Sequence, residues 1–114
     1  MKPTETMNGI DPIDQKAASE LRSRLETIAS VLDLRVFGSR SRGDAREDSD
    51  LDIFIRLETL DRPLREHIHD LAWEIGFEYD RVISTFVVTE DQIREGAVGA
   101  SPLFAKVLEE GVTV

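Results

Sequence analysis

One stretch constrains the fold of this chain more than any other: Val36-Phe37-Gly38-Ser39-Arg40-Ser41-Arg42-Gly43-Asp44-Ala45-Arg46-Glu47-Asp48-Ser49-Asp50-Leu51-Asp52-Ile53-Phe54-Ile55. Two apolar runs flank a segment rich in Gly, Ser, Arg and Asp, so the stretch reads as strand, polar loop, strand. The second run alternates. Leu51, Ile53, Ile55 and Leu57 fall on one side, and Asp50, Asp52, Phe54 and Arg56 on the other. Successive side chains of a strand point to opposite faces, so Asp50 and Asp52 share a face with Cα atoms roughly 6.5–7 Å apart. The opposite face is wholly apolar and is expected to be core.

Two carboxylates on one strand face repel each other and are costly to desolvate. A hard cation such as Mg²⁺ relieves that cost, taking a few carboxylates, waters and substrate phosphate oxygens. The other half of the stretch suits phosphates. Gly38 allows close backbone approach where a strand ends. Ser39 offers a hydroxyl, and the N–H groups that follow are suited to an anion-binding nest or helix start. Arg40 and Arg42 can neutralise phosphate charge with forked donors. A metal-binding face beside an anion-binding turn is the chemistry of nucleoside triphosphate handling.

These residues carry a family resemblance. Gly38-Ser39, then ten residues, then Asp50-Leu51-Asp52 matches the G-S-x10-D-x-D pattern of the nucleotidyltransferase superfamily. The fuller run resembles the minimal nucleotidyltransferases, the MNT-type proteins paired with HEPN-type partners in prokaryotes. The resemblance implies transfer of a nucleoside monophosphate from a triphosphate, ATP or another, to an acceptor hydroxyl, with release of pyrophosphate. By the same resemblance Gly38 and Ser39 hold the triphosphate, Arg40 or Arg42 assists, and Asp50 and Asp52 are the catalytic, Mg²⁺-binding acids. It also implies that the acceptor is a tyrosine of a HEPN-type toxin, which adenylylation silences, so that this chain is the antitoxin.

One part of the family pattern is not evident. A third carboxylate usually sits on a later strand, but the equivalent run Arg81-Val82-Ile83-Ser84-Thr85-Phe86-Val87-Val88 contains no acid. Ser84 or a neighbour takes that place, or Glu78 or Asp80 just before the strand substitutes, or a partner supplies the group. A missing general base costs roughly 10²–10⁴-fold in rate. The alternative reading is therefore a non-catalytic module that keeps the pocket and masks a partner. A small-molecule nucleotidyltransferase is a third reading, although such enzymes generally need more chain for an acceptor pocket.

At 114 residues the chain is expected to form one domain over residues 11–114, preceded by a loose segment over residues 1–10. A net charge of −9 argues against general nucleic-acid binding, since a phosphate backbone would be repelled, and it also serves simple solubility. The chain has no cysteine, which excludes disulfides and thiolate metal sites. No apolar run is long enough for a membrane span, and Met1-Lys2-Pro3-Thr4 lacks the apolar core of a signal peptide, so the expected location is cytoplasmic.

The remaining elements follow from caps and periodicity. Asp11-Pro12 opens a helix of about 20 residues with Ala18, Leu21, Leu25, Ile28 and Leu32 on one face. Leu34 to Phe37 is a short strand. Asp61 caps a second helix striped by Leu64, Ile68, Leu71, Ala72 and Ile75, with Gly76 as its stop. His67 and His69, two residues apart, do not face each other and are read as surface residues rather than metal ligands. Trp73 is read as core or interface. Arg42-Gly43-Asp44 spells an integrin-recognition tripeptide but is better explained by a turn at Gly43-Asp44, and Arg46, Glu47 and Asp48 as a solvated turn. Arg81 to Val88 forms a strand, Thr89 to Gln92 a capping box, residues 96–100 a flexible connector, and Ser101-Pro102 starts a last helix ending at Gly111 with Leu103, Phe104, Val107 and Leu108 on its apolar face. The order predicts an α+β domain, with a small mixed sheet of three or more strands covered by helices.

Overall fold

A computed structural model of the chain describes residues 10–43 and 49–114. The first helix, α1, spans Pro12–Glu26, with the Asp11 carboxylate accepting from the Ile13 N–H. It is shorter than the periodicity suggests. The chain leaves the helix at Thr27 and turns, and Val31–Phe37 already forms strand β1. Leu32 therefore belongs to a strand, and Ile28 and Leu32 are exposed rather than on a helix face against the core. Val31 pairs with Leu57 across the sheet, which draws the segment out of helical geometry.

After β1 come a four-residue helix α2 (Ser39–Arg42), strand β2 (Leu51–Leu57), helix α3 (Arg62–Tyr79) and strand β3 (Ile83–Thr89). Helix α4 (Glu90–Glu95), a 3₁₀ turn (Ala97–Ala100), helix α5 (Pro102–Glu110) and a two-residue strand β4 (Val112–Thr113) complete the chain. The sheet order is β3-β2-β1-β4. β1 runs antiparallel to β2 and β4, and β2 runs parallel to β3, so the sheet is mixed as expected.

Both faces of the sheet are covered. Leu51, Ile53, Ile55 and Leu57 are completely buried, as their alternation predicts, and join Leu34 and Val36 under α1 and α3. Ile10, at the end of the segment read as loose, is buried in this core as well. Residues 1–9 lie outside the described residues. The opposite face holds a second, aromatic core. Phe37, Phe54 and Val88 pack with Phe104 and Val107 of α5, and Phe54 meets the rings of Phe86 and Phe104 at 5.6 and 5.8 Å. The acid-bearing side of β2 is thus closed by α5 at Phe54.

Two further details of α3 differ from expectation. The helix passes through Gly76 and ends at Asp80, a non-glycine residue with φ +57°. Gly76 lacks a side chain for another reason: a Cβ there would lie 2.4 Å from the Arg81 carbonyl oxygen, where the returning chain crosses the helix. Trp73 is 66 % exposed and stacks flat on Phe77 at 5.8 Å, so it is outside the core. The residues read as a flexible connector form the 3₁₀ turn, packed against the second core through Val98.

Candidate active site

The site forms where β1 ends and β2 begins. Gly38 has φ +77° and ψ −159°, a combination open essentially only to glycine that costs other residues roughly 1–3 kcal/mol. Its bare Cα faces the Asp52 carboxylate, since a Cβ at Gly38 would lie only 2.5 Å from Asp52 Oδ2. The glycine and the acid predicted from opposite ends of the signature are therefore in direct apposition. α2 follows at once, with Ser41 Oγ donating to the Gly38 carbonyl oxygen at 2.8 Å and Gly43, at φ +79°, closing it. Residues 44–48, which include the expected turn at Arg46, Glu47 and Asp48 and one half of that at Gly43-Asp44, lie outside the described residues.

The two arginines of the signature point to different places. Arg40 is buried. Its Nη1 meets Asp14 Oδ2 of α1 at 2.9 Å, and its Nε donates to the Ser49 carbonyl oxygen at 2.9 Å. Asp14, itself 1 % exposed, also takes the Arg81 guanidinium at 2.6 Å. One buried carboxylate thus ties α1, α2, the residue before Asp50 and the approach to β3 together. Arg42 is more exposed, and its Nη1 reaches both carboxylate oxygens of Glu110, at 3.0 and 3.1 Å. Ser39 is half-buried in the first turn of α2.

Asp50 stands one residue before β2 and is exposed, whereas Asp52 lies within the strand and is half-buried. Burial, the charge of Asp50 and the charge of Glu110 push the Asp52 carboxyl above its ordinary value of 3.8, with exposed Lys106 opposing them. Extra negative charge is disfavoured at this spot, which is the electrostatic demand that a divalent cation satisfies. Asp50 and Asp52 are suitable donors for Mg²⁺, with substrate oxygens and water completing its shell. Among the described residues no group of three or more His, Asp or Glu side chains could by itself hold a metal. His67 and His69 join no such group.

Ser84 pairs in register with Asp52 across the parallel strands, so the position beside Asp52 on β3 carries a hydroxyl. Glu78 and Asp80 exert their charges elsewhere, on Tyr79 and Arg81 respectively. Besides Asp50, the carboxylate acting on Asp52 is Glu110, from the end of α5. Sequence reasoning missed it, because nothing in the run Leu108-Glu109-Glu110-Gly111 separates it from its neighbour Glu109. Beside Asp50, between α3 and β3, a cavity of about 440 Å³ is lined by His69, Trp73, Val82, Ser84 and Thr85.

A two-faced mixed sheet with a Gly-Ser turn set against a paired-acid strand defines a nucleotidyl-transfer fold. A family model, nucleotidyltransferase domain, matches residues 18–110, and the chain belongs to that family. Among solved structures it is similar to a chain of the MntA–HpeT toxin–antitoxin crystal structure, at 22 % identity and TM-score 0.61, over 88 % of this chain and 70 % of that one. It is also similar to a chain of the complex between a tri-AMPylated Shewanella oneidensis HEPN toxin and an MNT antitoxin, at 19 % identity and TM-score 0.53, over 88 % and 70 % of the two chains. A minimal nucleotidyltransferase matches at 29 % identity and TM-score 0.51, over 85 % of this chain and 95 % of its own. The chain is thus of the minimal nucleotidyltransferase type. No curated protein sequence matches it significantly. Among the described residues no helix is long and apolar enough to cross a membrane.

Proposed function

We propose that this chain is a Mg²⁺-dependent nucleotidyltransferase that moves AMP from ATP to a tyrosine hydroxyl of a HEPN-type toxin, acting as its antitoxin. The observation that carries this reading is the apposition of Asp52 and Gly38. On this reading the carboxylate that would bind metal faces the backbone that would receive phosphate. The solved relative with a tri-AMPylated toxin supports the choice of AMP and of a protein acceptor.

Each residue then has a task. Gly38 and Ser39 seat the triphosphate, and Arg42 neutralises its charge. Arg40, held by Asp14, positions the strand entrance through the Ser49 carbonyl and thereby orients Asp50. Asp50 and Asp52 would hold Mg²⁺, which would supply charge stabilisation for the α-phosphate and the departing pyrophosphate. Ser84 is no base at neutral pH, and on this reading the acceptor's proton goes to a group that the partner brings.

The same serine favours a second reading, a non-catalytic module that binds and masks its partner. Peptide mapping of the toxin co-purified with this chain separates the two. The enzyme reading predicts a tyrosine heavier by one AMP, absent when Asp50→Asn replaces the wild type. An unmodified toxin that is nevertheless bound and silenced equally by both proteins favours the masking module.

A further inference from the structure

Glu110 sits where its charge is poorly placed. It is the last residue of α5, where the helix dipole already concentrates partial negative charge. It also acts electrostatically on Asp52, beside Asp50, so three carboxylates share one neighbourhood. Packing of α5 does not need it, because the helix is anchored by buried Phe104 and Val107 and capped by Ser101. What holds Glu110 is polar. Its Oε2 accepts the Gly38 N–H at 2.8 Å, and both its oxygens accept from Arg42. Those donors bring the side chain to 15 % exposure.

A carboxylate held by a backbone N–H and a guanidinium is held as a phosphate oxygen would be. We propose that Glu110 is an internal competitor for the triphosphate, occupying Gly38 N–H and Arg42 until a nucleotide displaces it. The inference rests on the nucleotide-binding reading above. A triphosphate carries more charge than one carboxylate and brings a cation that relieves the acid pair, so exchange is favourable only when nucleotide and metal arrive together. Lys106, one turn earlier on the same helix face, gives the released carboxylate a cation to meet. Glu110 thereby keeps the Gly38 turn and Arg42 in place in the empty protein and raises the nucleotide concentration needed for its loading.

Calorimetric titration with α,β-methylene-ATP and Mg²⁺ tests this on the wild type, Glu110→Gln and Glu110→Ala, with adenosine as a ligand lacking phosphate. Glu110→Gln keeps the size and one acceptor oxygen, and a thermal melt of each protein confirms folding. Both variants are expected to bind the triphosphate about tenfold more tightly, with adenosine affinity unchanged. A side chain that merely braces the turn predicts weaker binding, so equal or weaker binding by folded Glu110→Gln overturns the proposal while leaving nucleotide binding intact. Binding of no triphosphate by any of the three proteins overturns both.

Discussion

Gly38 is under two constraints at once. Its φ of +77° lies in the left-handed region, and its Cα lies against Asp52. Gly38→Ala is expected to cost about 2 kcal/mol in unfolding free energy, read by urea denaturation, and to abolish transfer by forcing Asp52 aside. Stability and activity both at wild-type levels would refute the apposition. Asp52 itself is destabilising in the metal-free protein. Its folded-state carboxyl titrates above the ordinary 3.8, so the folded chain holds its proton more tightly than the unfolded chain does. Stability therefore falls as pH rises from about that value through the raised one. Asp52→Asn should melt above wild type at neutral pH without metal, and the difference should shrink to nothing as pH falls below the ordinary value. That Asp52 stands on the strand face opposite Leu51 and Ile53 could be told from the alternation, but the carboxylate from α5 that adds to its burden could not.

Among the elements, α1, α2 and the approach to β3 are joined by Asp14, which takes Arg40 and Arg81. Breaking a buried pair by removing one partner typically costs 3–5 kcal/mol, because the other charge is left uncompensated. Asp14→Ala is expected to lose about that much in urea unfolding and to reduce transfer through misplacement of Asp50; a loss below about 1 kcal/mol would show the network to be idle. The alternation of Leu51 to Leu57 made β2 and its buried face readable in advance, as did the caps Asp11, Asp61, Thr89 and Ser101, whose side chains all accept the expected N–H bonds. Helix length was not readable at Ile28 and Leu32, because their spacing suits a helix while long-range pairing with β2 takes the chain into β1. The same limit applies to Gly76, whose role depends on a carbonyl five residues later, and to β4, which is too short to carry a period. Arg40 and Arg42 look alike in sequence. Distant residues separate them among the described contacts: Asp14 draws Arg40 inward and Glu110 meets Arg42 at the site.

At the scale of the whole molecule, an acidic chain of net charge −9 gathers Asp50, Asp52 and Glu110 at one end of the two central strands of its sheet. That accumulation favours a metal-bearing triphosphate over a bare nucleic-acid backbone. Two helical layers fix the site from opposite sides: α1 through Asp14 and Arg40, and α5 through Glu110. The fold's purpose in this account is to keep the Gly38 turn and the Asp52 strand in register while a partner brings the hydroxyl. The most direct test is label transfer from ATP radiolabelled at its α-phosphate, with Mg²⁺ and the co-purified partner, for wild type and Asp52→Asn side by side. The account predicts label on the partner with wild type and none with Asp52→Asn, which stays folded. Equal labelling by the two proteins, or none with a wild type that binds its partner fully, would contradict it.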